Sequence, residues 1–300
     1  MYWLPVLVSL IGAAALIEAA QPTPLMSTDE ALALPRPAPD LRLDYGPEEL
    51  NFGELRLPVG KGPFPVVIVI HGGCWLAEYD LGYISALAAR LTEAGIATWS
   101  IEYRRVGDRG GGWPGSFADV AAAADALRDI AADHHLDPER VAALGHSAGG
   151  HLALWLGARP RLDPDDPLRG ADPLRVRGVV SLAGITDLAA YSSPEGCGSA
   201  VPGLLGGEPS DHPERLTRCS PIAMPHSGIP EILIVGSRDP IVPRSQAESY
   251  ADHRPDGAVR LIEIEGAGHF ELIDPGHASW ERVHLAVVSA LALEVEPPGR

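Results

Sequence analysis

The chain has 300 residues, 46% of them hydrophobic and 21% charged, which suffices for one large globular domain with its own core. Its formal net charge is −17, and the densest basic stretches are only Arg104-Arg105 and the segment 175–177. Such a balance repels a phosphate backbone, so it argues against a nucleic-acid partner and is read as a solubilising surface.

Residues 2–17 carry no charge and are rich in Leu, Val, Ile and Ala. The run is short for a bilayer span but suits the apolar region of a secretory signal, with Ala19 and Ala20 as small residues beside a cleavage point. Residues 1–20 are therefore read as a signal peptide, and the product as secreted or periplasmic without stable membrane insertion. The alternative is an uncleaved segment on a cytoplasmic protein. Prolines crowd the next stretch, so 21–40 is read as a linker and 41–295 as the catalytic domain. Strand-like runs at 66–70, 97–103, 141–144, 176–182, 232–235 and 259–264 alternate with helix-like ones near 80–94, 117–133, 148–158, 243–254 and 278–293. This alternation predicts an α/β fold with a mostly parallel central sheet and helices on both faces. Segments 41–45 and 53–57 precede any of these helices and are expected to pair antiparallel at one edge. The Gly-, Pro- and Ser-rich stretch 184–228 interrupts the rhythm and is expected to form a small cap.

Gly145-His146-Ser147-Ala148-Gly149 fits G-x-S-x-G, and its context is strand before and helix after. In that context the motif means a sharp turn that lifts a nucleophilic serine, here Ser147, to a helix N-terminus. The amide of Ala148 then faces a developing oxyanion. His71-Gly72-Gly73-Cys74-Trp75 follows the 66–70 strand, where a second glycine-rich oxyanion loop belongs, with Gly73 and Cys74 as donors. A serine hydroxyl needs a base, and the base needs a carboxylate to fix its tautomer. His269, in the glycine turn after the last strand, is the expected base, ahead of His277, His226, His253 and His146. His71 is read as structural. Asp239, at the end of the 232–235 strand, is the expected acid, with Asp187 as the competing position.

Three cysteines, Cys74, Cys197 and Cys219, show no metal-ligand spacing, and no metal is expected. In an exported chain a Cys197–Cys219 bond would pin the cap, at about 3 kcal/mol by loop entropy, leaving Cys74 as the odd thiol.

These motifs together resemble the esterase/lipase branch of the α/β-hydrolase superfamily over about residues 41–293. Through His71 to Trp75, Glu102-Tyr103-Arg104-Arg105, Gly110 to Gly115 and Phe117-Ala118-Asp119-Val120, the chain looks like the kynurenine formamidase-like and bifunctional feruloyl and acetyl-xylan esterase group. The resemblance implies hydrolysis of a small-molecule carboxylic ester through an acyl-serine, without cofactor. Trp75, Trp113 and Tyr103 are candidate pocket walls, and a cap poor in bulky apolar residues suggests short or compact aromatic acyl groups. Competing readings are an arylformamidase, a peptidase of prolyl-oligopeptidase type for which the chain is short, and a non-catalytic binding protein on a hydrolase scaffold. Nothing in the sequence specifies the oligomeric state.

Overall fold

A computed structural model describes residues 23–191 and 196–292. The expected signal peptide, residues 1–20, lies outside them. Eight strands form one sheet: β1 (Leu41–Asp44), β2 (Phe52–Arg56), β3 (Phe64–Ile70), β4 (Ala97–Ile101), β5 (Leu136–His146), β6 (Val179–Leu182), β7 (Glu231–Gly236) and β8 (Val259–Ile264). Their order is β1-β2-β4-β3-β5-β6-β7-β8. β1 and β2 pair antiparallel at the edge, β2 joins β4 antiparallel, and every pairing from β4 onward is parallel. This is the architecture expected from the alternation of runs.

The helices are α1 (Thr28–Leu32), α2 (Ser85–Glu93), α3 (Gly115–Asp133), α4 (Ala148–Ala158), α5 (Val201–Leu205), α6 (Pro213–Cys219), α7 (Ser245–Asp252) and α8 (Ser279–Ala290). Along β3, Val66, Ile68 and Ile70 enter one core with side chains of α3, α4 and α7, while Val67 and Val69 enter the other with those of α1, α2 and α8. All five are fully buried, so the central strands read as unbroken apolar runs instead of alternating ones. Helix α4 is buried along its whole length, which explains why AGGHLALWLGA has no polar face.

Two expectations need correction. The stretch 21–40, read as a linker from its prolines, is docked where it is described. Ser27 caps α1 through a reciprocal Ser27–Glu30 box, Ala31 is buried, and Arg36 meets Asp80 at 3.1 Å. The expected Cys197–Cys219 bond is not formed. Cys74 is bonded to Cys197 across 123 residues, and Cys219 is a buried free thiol. Proximity in sequence suggested the wrong pair because the chain brings Cys197 back against the loop after β3. The segment 184–228 does carry its own short helices, α5 and α6.

Two buried histidines are expected to make the fold acid-sensitive. His151 on α4 donates from Nε2 to the Cys219 carbonyl at 2.8 Å and accepts from Trp75 Nε1 at 3.2 Å, and burial pushes its pKa down to about 4. Burial and the neighbouring His269 hold His146 well below the usual histidine range. Below the unfolded histidine pKa the unfolded chain binds protons that the native state refuses. Stability should therefore be full above about pH 6.5 and fall as pH drops toward 4, with His151 alone contributing on the order of 3 kcal/mol. Urea midpoints between pH 7.5 and 4.5 check this: a flat series would mean that these imidazoles accept protons in the folded state.

Candidate active site

At the carboxyl end of β5 the chain turns sharply into α4, with Ser147 at φ 56° and ψ −120°. A side chain of this kind is strained at positive φ, and such strain persists only where the surroundings over-determine it. They do so here. A Cβ on Gly145 would stand 2.0 Å from the Gly149 carbonyl oxygen, and one on Gly149 would stand 2.1 Å from that of Ile70. Only glycine fits on either side of the serine. Ser147 N donates to the Leu182 carbonyl at 2.8 Å, which ties the turn to β6. The first amide of α4, that of Ala148, has no acceptor within the helix and points with the positive end of the helix dipole.

Across the cleft, His269 follows β8 and Asp239 follows β7. His269 Nδ1 and Asp239 Oδ2 are 2.7 Å apart, with side chains 3% and 1% exposed. The other oxygen, Oδ1, accepts from Ile241 N at 2.7 Å and Val242 N at 3.0 Å. Those two amides fix the carboxylate so that its free oxygen faces the imidazole. Nδ1 is thereby occupied as the donor, and Nε2 is left as the basic nitrogen.

His146, inside the serine motif, has a role that spacing did not suggest. Its Nε2 lies 3.0 Å from the His269 carbonyl oxygen and so must donate. Its Nδ1 then accepts from the Tyr83 hydroxyl. A neutral, buried ring thus ties the Ser147 turn to the backbone of the histidine loop.

The loop after β3 supplies the third side of the site. Gly73, Cys74 and Trp75 all have positive φ, at 98°, 54° and 58°. The loop is held from behind by Glu102, whose Oε1 meets His71 Nε2 at 2.9 Å and Arg105 Nη1 at 3.1 Å, and whose Oε2 accepts from Leu81 N at 3.0 Å. Burial pushes the Glu102 carboxyl up, but His71, Arg105 and the Leu81 amide outweigh it and leave the pKa lowered. His71 is therefore a buried structural residue, as expected, and Glu102 and Arg105 of the Glu-Tyr-Arg-Arg stretch brace the loop.

A cleft of about 270 Å³ brings together Ser147, His269, Gly73 and Cys74 with Tyr79, Tyr83 and Phe270. The expected wall residues are elsewhere. Trp75 and Tyr103 are fully buried: the Trp75 indole donates to His151 within the core, and the Tyr103 hydroxyl donates to the His71 carbonyl at 3.2 Å. Trp113 is half-buried against Phe117 and beneath the Arg218 guanidinium, outside the cleft. Large aromatics gain more by packing in the core than by lining a small opening. The competing positions are also apart from the site. Asp187 accepts from the amides of Ala189 and Ala190 in a turn, His277 from Ser279 N at the entry to α8, and His226 from Gly228 N, while His253 bonds the Ser249 carbonyl in α7.

A parallel sheet with a serine turn after β5 and a His–Asp pair after β8 and β7 defines the α/β-hydrolase class. Residues 55–253 match the BD-FAE family, well over half of the chain, and the protein belongs to that family. Esterase LipC of Mycobacterium tuberculosis is 32% identical over 225 residues, which are 71% of this chain and 54% of that protein. Esterase LipQ of the same organism is 30% identical over 217 residues, 68% of this chain and 50% of that one. The chain thus spans about half the length of these curated relatives. A truncated carbohydrate esterase from gut microbiota has the same fold, with a TM-score of 0.73 at 24% identity, covering 84% of this chain and 95% of that structure.

Proposed function

We propose that the protein hydrolyses small carboxylic esters through an acyl-serine intermediate. The observation that carries this is the buried 2.7 Å His269–Asp239 pair opening onto the same cleft as the strained Ser147. Ser147 Oγ attacks the ester carbonyl carbon while its proton passes to His269 Nε2. The carbonyl oxygen becomes an oxyanion held by the amides of Ala148, Gly73 and Cys74. Collapse breaks the bond to the alcohol oxygen, which takes the proton from His269. Water then repeats the sequence, releasing the acid and restoring Ser147. Asp239 keeps its charge throughout and steadies the imidazolium.

The cleft, at about 270 Å³, falls below the usual 300–1,000 Å³ of drug-sized ligand pockets, so it favours acetyl, butyryl or compact aromatic acyl groups. The esterase names of the two mycobacterial relatives support the same chemistry. Export is the matching location: a disulfide joining distant elements persists in an oxidising compartment, and residues 2–17 have the apolar character of a signal. Among the described residues no helix is long and apolar enough to cross a membrane.

The test is a series of nitrophenyl esters from acetate to decanoate, with methyl ferulate and N-formylkynurenine alongside, and a fluorophosphonate whose attachment is mapped by peptide mass. Labelling at Ser147 and a maximum of kcat/KM at acetate or butyrate are expected. A maximum at decanoate or beyond would show that the cleft continues where its walls now close it. Turnover of the formamide alone would replace the ester reading.

A further inference from the structure

Residues 23–34 lie against the histidine loop at several independent points. Arg238 Nη1 donates to the Thr23 carbonyl at 2.8 Å, one residue before Asp239. The Leu25 side chain covers Gly268, leaving no room there for even a Cβ without contact at 3.1 Å. Met26 N donates to Glu271 Oε1 at 2.6 Å, while the second oxygen of that carboxylate accepts from Gly268 N at 3.0 Å. Ala31, 1% exposed, is packed in the same core as Tyr83 and Phe270, both of which line the cleft. Between Met26 and Ala31 stands Thr28, itself on the rim of the cleft.

We propose that residues 23–34 form a strap that closes one side of the substrate cleft through Thr28, and that Glu271 is the positioning residue tying the strap to the His269 loop. The proposal deepens the ester-hydrolase reading and rests on it. Thr28 limits how much acyl or alcohol group the cleft admits, because α1 is fixed by its capping box and by Ala31 and cannot swing aside cheaply. Glu271, 7% exposed, bonds the strap with one oxygen and the amide next to His269 with the other, so a loosened strap also loosens the base.

The experiment uses the full chain carrying Thr28→Trp or Glu271→Gln, with kcat/KM measured for nitrophenyl acetate and hexanoate and melting temperature followed in parallel. Thr28→Trp should lower the hexanoate-to-acetate ratio at least about tenfold, a typical cost of removing room for a few methylenes. Glu271→Gln keeps the size of the side chain but loses one of its two acceptors. It should raise that ratio and lower kcat for both esters, because the base it positions is loosened. A merely structural strap would lower the melting temperature in both variants and leave the ratio within twofold of wild type, and that result overturns the proposal while hydrolysis dependent on Ser147 stands. Absence of such hydrolysis in the wild type would overturn the ester-hydrolase reading, and this inference with it.

Discussion

Ser147→Ala is expected to fold as the wild type does and to lose at least about a thousandfold in kcat on every ester, because nucleophile and base act as a unit. Removing the hydroxyl leaves a side chain smaller than serine at φ 56°, so the turn is no more strained than before. Among the described residues Ser147 Oγ has no hydrogen-bond partner; the turn is held by its backbone amide on Leu182 and by the close glycine contacts. Loss of rate with an unchanged melting temperature therefore separates chemistry from structure. His269→Ala should cost a similar factor, and the double variant little more than either single one. Independent, multiplying losses would mean that Ser147 and His269 do not share a proton. Activity near wild type in Ser147→Ala would remove the serine from the reaction.

The features legible in the sequence are those that backbone chemistry enforces locally. G-x-S-x-G announces itself because two glycines are the only residues that fit against Gly149 O and Ile70 O. The strand runs 66–70 and 232–235 are apolar on both faces because helices cover both, and that is visible without a structure. The meeting of Asp239 and His269 follows from their places just past the carboxyl ends of the neighbouring strands β7 and β8. Long-range choices were not legible. The disulfide partner of Cys74 lies 123 residues away, and spacing does not encode which distant segment returns to the loop after β3. The tryptophans looked like pocket walls because an aromatic near a motif carries no mark of which way its turn sends it. Helix α1 does have a sequence signal: Ser27-Thr28-Asp29-Glu30 has the spacing of a capping box, set among prolines. Tyr79, Tyr83 and Phe270 had no signal beyond lying near motif residues, and only the tertiary fold brings them to the cleft.

Asp239→Asn should lower kcat by about 10³–10⁴-fold while the site keeps its shape, the scale seen when a triad acid is replaced by its amide. The reason is written in the partners of the carboxylate. Oδ1 accepts from two amides, those of Ile241 and Val242, and Oδ2 faces His269 Nδ1. An asparagine keeps both amide bonds only by placing its carbonyl oxygen where Oδ1 stands. Its NH2 group then points at Nδ1 and can bond only an Nδ1 that carries no proton. The imidazole proton is driven onto Nε2, the nitrogen that must receive the proton of Ser147, and general-base catalysis stops. The opposite rotamer would restore the tautomer but set an NH2 group against two backbone N–H donors in a buried site, sacrificing two hydrogen bonds to save one. Steady-state kinetics on nitrophenyl acetate, with near-wild-type melting temperature and fluorophosphonate labelling slowed in step with kcat, is the expected result. A loss of less than about tenfold would place the orienting acid elsewhere, since a fixed wrong tautomer cannot leave so much activity.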